Sequence, residues 1–214
     1  MRPGLRGSLG AALAAAVLLL SACAGAGAGG AGSGGLPGRA RVDVSTPALA
    51  HAKRAAGIAD CSPGSGSGGS VTGGLPAVTL PCLGGGPAVD LATLPGPMVV
   101  NLWASWCGPC RRELPHYEAF AEKHGDRVPV LGVDYQDTQP AAAHALAKAS
   151  GVTYPLLADP QGALDGASPI PRLAGLPFLA LVDADGRVVH REFVEIRSER
   201  QLADLVTTYL GVDL

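Results

Sequence analysis

The sequence is poor in charged side chains and has no excess of either sign. Asp, Glu, Lys and Arg make up 16% of its 214 residues, and the formal net charge is −2 at pH 7. A nucleic-acid-binding domain needs a basic surface, so this composition argues against nucleic acid as a partner, and no acidic tail is present either. The sequence also lacks an internal repeat. Its length therefore predicts one domain with extensions.

A membrane-spanning run is missing near the N-terminus, where the apolar stretch 9–20 is too short to cross a bilayer comfortably. Arg2 and Arg6 precede this stretch, and Leu20-Ser21-Ala22-Cys23 follows it, an arrangement that resembles the bacterial lipobox. We therefore predict a lipoprotein signal peptide that is cleaved before Cys23, which then carries the lipid. An ordinary signal peptide with a chance cysteine is the alternative. The predicted location is extracytoplasmic, lipid-anchored to the bacterial cell membrane.

Glycine is concentrated between the signal and the main domain. Residues 24–35 are Gly and Ala with one Ser, which cannot bury a core and predicts a tether. Thr46-Pro47 is a good helix start. The predicted division is a signal peptide at 1–22, a flexible Gly/Ala-rich tether at 23–45, a short helix (47–59) with a Gly/Ser loop at 46–75, and the main domain at 76–214.

Four cysteines remain after Cys23, and an extracytoplasmic location allows them to form disulfides. Cys61 and Cys82 flank a flexible loop, and we predict a structural disulfide between them that holds the helix 47–59 to the domain. Closing a loop of this length stabilises the fold by roughly 3 kcal/mol. The alternative is a second redox pair that relays electrons to Cys107 and Cys110.

Cys107 and Cys110 lie where an apolar run ends and a helical pattern begins. The amide groups and the dipole at a helix N-terminus favour negative charge, so the first thiol ionises more easily. We predict that Cys107 is the nucleophile, which forms a mixed disulfide with a partner, and that Cys110 resolves it. No second Cys/His pair has metal-ligand spacing, so no metal is predicted, and no cofactor either.

The main domain alternates strands and helices before it ends in a strand pair and a helix. This order predicts an α/β fold with a mixed sheet, helices on both of its faces and an N-terminal β-hairpin extension. The predicted elements are the hairpin 78–91, strand 98–103, helix 109–124, strand 128–135, helix 140–150, strand 154–158, a short helix 163–167, strands 178–182 and 187–193 joined by an Asp185-Gly186 turn, and a helix between Ser198 and Gly211.

Several longer motifs carry a resemblance to a known family. They are Asn101-Leu102-Trp103-Ala104-Ser105-Trp106-Cys107, Glu113-Leu114-Pro115, Tyr154-Pro155-Leu156-Leu157-Ala158-Asp159, Leu176-Pro177 and Val182-Asp183-Ala184-Asp185-Gly186. Over about residues 76–212 the chain resembles thioredoxin, and within that superfamily the TlpA/ResA branch of extracytoplasmic, membrane-attached thiol:disulfide oxidoreductases. The resemblance implies a thioredoxin-like fold and an oxidoreductase activity.

The resemblance also implies a substrate-binding surface beside the dithiol. Pro177 corresponds to the family's cis-proline, and the residue before it offers backbone groups to an extended substrate. The family usually has Thr or Val at that position, where this chain has Leu176. Trp106 is expected to shape the docking surface.

Two further positions concern proton handling. In ResA-like proteins a glutamate at the position of Glu113 modulates the active-site thiols, and the alternative is a solvated carboxylate beside Arg111 and Arg112. Asn101 stands where thioredoxin carries a buried aspartate, and it cannot exchange a proton. The resemblance therefore directs attention to Glu113 or water.

The predicted function is to reduce or exchange disulfides of exported proteins, with the haem-site cysteines of apocytochrome c among the targets. A reductant would need a membrane thiol as electron donor. The other expected properties are attachment to the membrane through Cys23, no nucleic acid partner and a monomeric state. A thiol peroxidase of the peroxiredoxin type is one alternative, although Trp103-Ala104-Ser105-Trp106 before Cys107 is not a peroxidatic sequence. A non-catalytic tethered binding module is the other.

Overall fold

The computed structural model describes residues 41–62 and 70–214. The predicted signal peptide, Cys23 and most of the predicted tether lie outside these ranges. In the described part of the chain, no helix combines the length and the apolar character needed to cross a membrane.

A five-stranded mixed sheet organises the main domain. Its order is β5-β4-β3-β6-β7, with β3, β4 and β5 parallel and with β6 antiparallel to both of its neighbours. A separate antiparallel pair, β1 and β2, forms the predicted hairpin. The elements are α1 Pro47–Ala55, β1 Thr79–Leu80, β2 Val89–Asp90, a 3-10 helix Leu91–Thr93, β3 Met98–Trp103, α2 Gly108–His124, β4 Val130–Tyr135, α3 Pro140–Ala149, β5 Leu156–Asp159, β6 Phe178–Val182, β7 Val188–Glu192 and α4 Glu199–Leu210.

The two faces of the sheet are covered differently. Val99 and Trp103 of β3 share an apolar cluster with residues of α2, α3 and α4, and we call this side the helical face. Val100 and Leu102 share the other cluster with the β1–β2 hairpin and the 3-10 helix, and we call this side the hairpin face. Side chains alternate along a strand, so a fully buried strand feeds both cores. The mixed α/β fold with flanking helices is as predicted.

The segment that follows β1, residues 81–83, is hydrogen-bonded to the outer edge of β5. The amide of Leu83 donates to the carbonyl of Leu156 at 2.9 Å, and the amide of Ala158 donates to the carbonyl of Pro81 at 2.9 Å. Cys82 therefore forms an isolated antiparallel bridge with Leu157. These bonds cover the edge strand, whose backbone groups would otherwise be unpaired.

Two element predictions were wrong in detail. The first helix ends at Ala55 rather than at residue 59, because Gly57 adopts a positive φ of 73° and the amide of Ile58 bonds back to the carbonyl of Lys53. Residues 163–167 form turns rather than a helix. There the carboxylate of Asp159 accepts the amides of both residue 163 and residue 164, at 2.7 and 2.9 Å. Because turns replace the predicted helix at 163–167, the helical element described on the hairpin face is the 3-10 helix Leu91–Thr93.

Candidate active site

The dithiol lies at the junction between β3 and α2. Cys107 is the N-cap residue of α2, and its sulfur accepts the backbone amide of Cys110 at 3.2 Å. Pro109 stands in the first turn, where its missing amide hydrogen costs nothing. The two sulfurs are bonded to each other, and the Cα atoms lie 5.3 Å apart. The helix start thus supplies amide groups to the sulfur that is predicted to be the nucleophile.

The solvent exposure of the side chains differs along residues 106–110. Cys107 is 4% exposed, whereas Cys110 is completely buried. Trp106 is 55% exposed, which is unusual for so large an apolar side chain. A partner that approaches the dithiol therefore meets Trp106 and Cys107 before Cys110.

A groove runs beside the dithiol. Its volume is about 360 Å³, and its walls are Pro109, residues 174–177 and residues 193–195. The Leu176-Pro177 peptide bond is cis, in agreement with the resemblance. Phe193 forms one wall, is 48% exposed and packs edge-on against Phe178 with ring centroids 5.0 Å apart. Phe193 could not be predicted from the sequence, since the exposure of an aromatic side chain is not visible in a local pattern.

The loop before Cys107 is anchored to the loop after β4. The amide of Ser105 donates to Oδ2 of Asp137 at 2.7 Å, and the indole Nε1 of Trp106 donates to the carbonyl of Gln136 at 3.3 Å. Arg111 adds a bidentate contact from α2 to the carbonyl of Ser105, at 2.9 and 2.6 Å. These bonds fix the orientation of Trp106 relative to Cys107.

Asp137 belongs to a buried carboxyl pair that no local sequence pattern indicates. Asp134 and Asp137 are each 2% exposed. Burial and the neighbouring carboxylate of Asp137 raise the pKa of Asp134 to about 9. Asp134 is therefore protonated at neutral pH, while Asp137 accepts amides from Ser105 and Gln139.

Glu113 is completely buried, so the alternative of a solvated carboxylate is wrong. Its Oε2 accepts the amide of Ile196 at 3.2 Å. Burial raises the pKa of Glu113 to about 8, although that hydrogen bond opposes the shift. Arg112 points elsewhere and forms a bidentate ion pair with Glu195, at 2.7 and 2.9 Å.

The surroundings of Glu113 are buried and polar. Asn101, Tyr117 and Tyr154 lie at 0%, 0% and 5% exposure. Burial, followed by the nearby carboxylates, raises the pKa of both tyrosines well above the ordinary value. Glu113 is a titratable group of this cluster, whereas Asn101 carries an amide and cannot exchange a proton.

Cys61 and Cys82 form the predicted disulfide, with Cα atoms 5.8 Å apart. Cys82 pairs with Leu157, which pairs with Val133, which pairs with Leu102 of β3. Three strand spacings separate Cys82 from β3, a distance of roughly 14 Å. The two cysteine pairs also belong to different clusters, the hairpin face and the helical face. Direct electron relay between the two disulfides would require their sulfurs to touch, so this geometry does not favour it.

No group of three or more His, Cys, Asp or Glu side chains suited to a metal ion occurs within residues 41–62 and 70–214.

Comparison with known proteins agrees with this geometry. A DsbE homolog from Paracoccus denitrificans, named a thiol:disulfide interchange protein, is 36% identical over 120 residues, which cover 49% of this chain and 62% of that protein. The thiol-disulfide oxidoreductase ResA from Bacillus cereus is 27% identical over 117 residues, which cover 54% of this chain and 65% of the relative. The aligned region is thus less than two thirds of either relative.

The fold is shared with solved structures. A DsbF homologue from Corynebacterium diphtheriae matches with a TM-score of 0.56 at 23% identity, over 71% of this chain and 99% of that one. The relatives confirm the predicted resemblance to the ResA type, and the structure confirms the thioredoxin-like fold. Residues 71–208 match the Redoxin family model. The chain therefore belongs to the redoxin family.

Proposed function

We propose that the protein is an extracytoplasmic thiol:disulfide oxidoreductase that reduces or exchanges disulfides of exported proteins. The observation that carries this proposal is the Cys107–Cys110 disulfide at the N-terminus of α2, next to a groove that contains the cis Leu176-Pro177 bond. The names of the relatives, thiol:disulfide interchange protein and thiol-disulfide oxidoreductase, support the same reaction class.

In the reducing direction, the Cys107 thiolate attacks one sulfur of a partner disulfide. A new bond joins Cys107 to that sulfur, and the other partner sulfur leaves as a thiolate. Cys110 then attacks the sulfur of Cys107, which releases the second partner thiol and forms the Cys107–Cys110 bond. The partner gains two electrons and the enzyme dithiol loses two. The amide that Cys107 accepts from Cys110 stabilises the attacking thiolate.

The groove is the proposed binding site for an extended stretch of the partner. Leu176, Pro177 and Phe193 line this groove. Phe193 and Trp106, the residue before Cys107, add exposed apolar surface. Backbone groups before Pro177 would bind the partner independently of its sequence, so specificity comes from the side chains. Leu176, which is bulkier and more apolar than Thr, favours an apolar residue next to the partner's cysteine.

Glu113 is the proposed proton acceptor for Cys110. Cys110 must lose its proton before it can attack, and Glu113 lies three residues later on the same helix, where side chains at this spacing are neighbours. Burial holds the pKa of Glu113 at about 8, so the carboxylate that accepts the Cys110 proton becomes available as the pH approaches about 8, and transfer should become faster as pH rises toward that value.

The remaining parts of the proposal concern location and substrates. Residues 1–22 serve as the signal peptide, Cys23 carries the lipid, residues 23–45 are the tether, residues 46–75 are the helix and loop, and residues 76–214 are the thioredoxin-like domain. The protein works as a monomer, takes electrons from a membrane thiol carrier when it acts as a reductant, and has the haem-site cysteines of apocytochrome c among its targets.

Trapping of mixed disulfides tests the reaction. In Cys110→Ala, Cys107 can attack a partner but the intermediate cannot resolve, so exported proteins should accumulate in covalent complexes that a reducing gel dissolves. Cys107→Ala is the matched control and should trap far less. Equal trapping by both variants would contradict the assignment of Cys107 as nucleophile, and an empty Cys110→Ala trap would favour a binding module whose disulfide is only structural.

Two solution measurements decide direction and class. A reduction potential of the Cys107–Cys110 pair near that of thioredoxin, about −270 mV, indicates a reductant, and one near that of DsbA, about −120 mV, indicates an oxidant. Turnover of hydrogen peroxide at peroxidase-like rates would replace the proposal with the thiol peroxidase alternative.

A further inference from the structure

Lys53 of α1 is a buried cation in contact with a disulfide sulfur. Its side chain is 3% exposed, and its Nζ donates to Sγ of Cys82 at 3.3 Å. Nζ also donates to Oδ1 of Asp60 at 2.8 Å and to the carbonyl of Gly85 at 3.2 Å. An ammonium group has three hydrogens, so Cys82 receives one of them.

The contact favours the reduced form of the cysteine pair. A disulfide sulfur is a weak acceptor, whereas a thiolate is an anion that binds an ammonium group strongly. The competing partner, Asp60, is 90% exposed, so water screens its attraction for Lys53. His144, packed near Lys53, is 2% exposed, and burial followed by the charge of Lys53 lowers its pKa. His144 is therefore neutral, and the positive charge beside Cys82 is that of Lys53.

The other cysteine of the pair, Cys61, lines a cavity, and its Sγ lies 3.2 Å from the carbonyl oxygen of Leu156. Cys61 lines a space of about 140 Å³, whose remaining walls are apolar except at Asp60 and Ser62. Asp60 and Ser62 are both exposed, so the cavity reaches the surface beside Cys61. An apolar cavity of about 150 Å³ is large enough for benzene, so this one accommodates a small uncharged molecule.

We propose that Cys61–Cys82 is a second thiol–disulfide exchange site, where a small uncharged thiol attacks Cys61 and Cys82 leaves as a thiolate paired with Lys53. The thiolate of the small molecule forms a bond to Sγ of Cys61, and the Cys61–Cys82 bond breaks with its electron pair on Cys82. The thiolate of a second thiol molecule then attacks the sulfur of the first molecule in the mixed disulfide, and the bond to Cys61 breaks with its electron pair on Cys61. The two thiol molecules are oxidised to their disulfide, and the cysteine pair gains two electrons.

The inference is independent of the proposed function. It concerns other sulfur atoms at the far edge of the sheet, and the leaving thiolate needs no contact with Cys107 or Cys110. The physical basis is general, because a lower pKa of the leaving thiol speeds exchange and a stabilised reduced form raises the reduction potential.

The test follows the redox state of each cysteine separately in the full chain. Wild-type protein is equilibrated with mixtures of 2-mercaptoethanol and its disulfide, quenched with acid, alkylated and analysed by peptide mass spectrometry. We expect a mixed disulfide on Cys61 and not on Cys82. In Lys53→Met, which keeps the apolar stem, the equilibrium constant for reduction should fall at least tenfold, or about 30 mV. Lys148→Met removes an exposed lysine of α3 and should stay within twofold of wild type.

A second variant keeps the test decisive if Lys53→Met does not fold. Asp60→Asn removes an exposed carboxylate that competes for Lys53, so the equilibrium constant should rise at least threefold. An equilibrium constant in Lys53→Met equal to that of wild type, an unchanged or lowered constant in Asp60→Asn, or a mixed disulfide on Cys82 would each overturn the proposal. Because Cys107 and Cys110 give separate peptides, the outcome here is distinguishable from failure of the proposed function.

Discussion

Replacement of Glu113 by Gln should change how the stability of the fold depends on pH. The Glu113 carboxyl is fully buried, and burial raises its pKa from 4.5 to about 8. This shift corresponds to roughly 5 kcal/mol of preference for the protonated form in the folded state. Gln has nearly the same shape, can still accept the amide of Ile196 through its carbonyl oxygen, and carries no charge at any pH.

The direction of the change in the free energy of unfolding with pH follows from the number of protons that each state binds. Between about pH 4.5 and pH 8 the folded state holds the Glu113 proton while the unfolded state has released it. The free energy of unfolding of the wild type therefore falls as pH rises through this window, by up to about 1.4 kcal/mol per pH unit. Below pH 4.5 the full stability is present, and above about pH 8 the loss is complete. Glu113→Gln is free of this loss.

The assay is urea unfolding of the oxidised proteins at pH 5 and at pH 9. With both disulfides closed, the cysteines do not titrate in either state. The stability of Glu113→Gln relative to wild type should increase by about 4 kcal/mol between these two pH values. Asp134, whose pKa burial raises to about 9, affects both proteins equally and cancels in the difference. Glu122→Gln, at an exposed position of α2, is the control and should show no such change. A difference between Glu113→Gln and wild type that stays constant within about 1 kcal/mol from pH 5 to pH 9 would refute the assignment of Glu113 as a buried acid.

Three further substitutions probe the fold and the groove. Replacing both Cys61 and Cys82 by Ala should lower the free energy of unfolding by about 3 kcal/mol, measured in urea, because the closed loop disappears; a loss below about 1 kcal/mol would contradict this. Gly84→Ala should cost at least about 2 kcal/mol, since Gly84 has a φ of +86° and an added Cβ would lie 2.8 Å from other side chains; unchanged thermal unfolding would contradict it. Phe193→Ala should raise KM for a peptide disulfide about fivefold with kcat retained, from about 1 kcal/mol of lost aromatic contact, whereas Val189→Ala, exposed and outside the groove, should not; equal KM values in the two variants would contradict the docking role of Phe193.

Most regular elements could be predicted because their signals are local. The strands Met98–Trp103 and Phe178–Val182 are apolar runs between turn residues, and their bounds are as predicted. The cap of α4 also agrees, since Ser198 accepts the amide of Gln201 at 3.1 Å. The helix expected at 163–167 failed because the side chain of Asp159 captures the amides that would begin it. A side chain that competes for backbone groups from several residues away leaves no periodic signal.

Some features of the candidate site could likewise be predicted from local sequence, and others could not. The positions of Cys107 and Cys110 at the helix start follow from a local pattern in which the two cysteines are three residues apart, and the cis bond at Pro177 agrees with the family resemblance. The burial of Glu113 and the exposure of Phe193 depend on which other parts of the folded chain pack against them. Neither could therefore be predicted from the spacing of residues in the sequence.

The sequence by itself determined the reactive group, its place at a helix N-terminus and the fold class, because each depends on residues close together along the chain. Only the tertiary structure decided the burial and the electrostatic contacts of the groups around the two disulfides. Glu113 meets Ile196 across 83 residues, Ser105 meets Asp137 across 32, and Lys53 meets Cys82 across 29. Burial and electrostatic contact between such distant residues arise only when the chain folds, and they set the pKa of an acid and the stability of a thiolate.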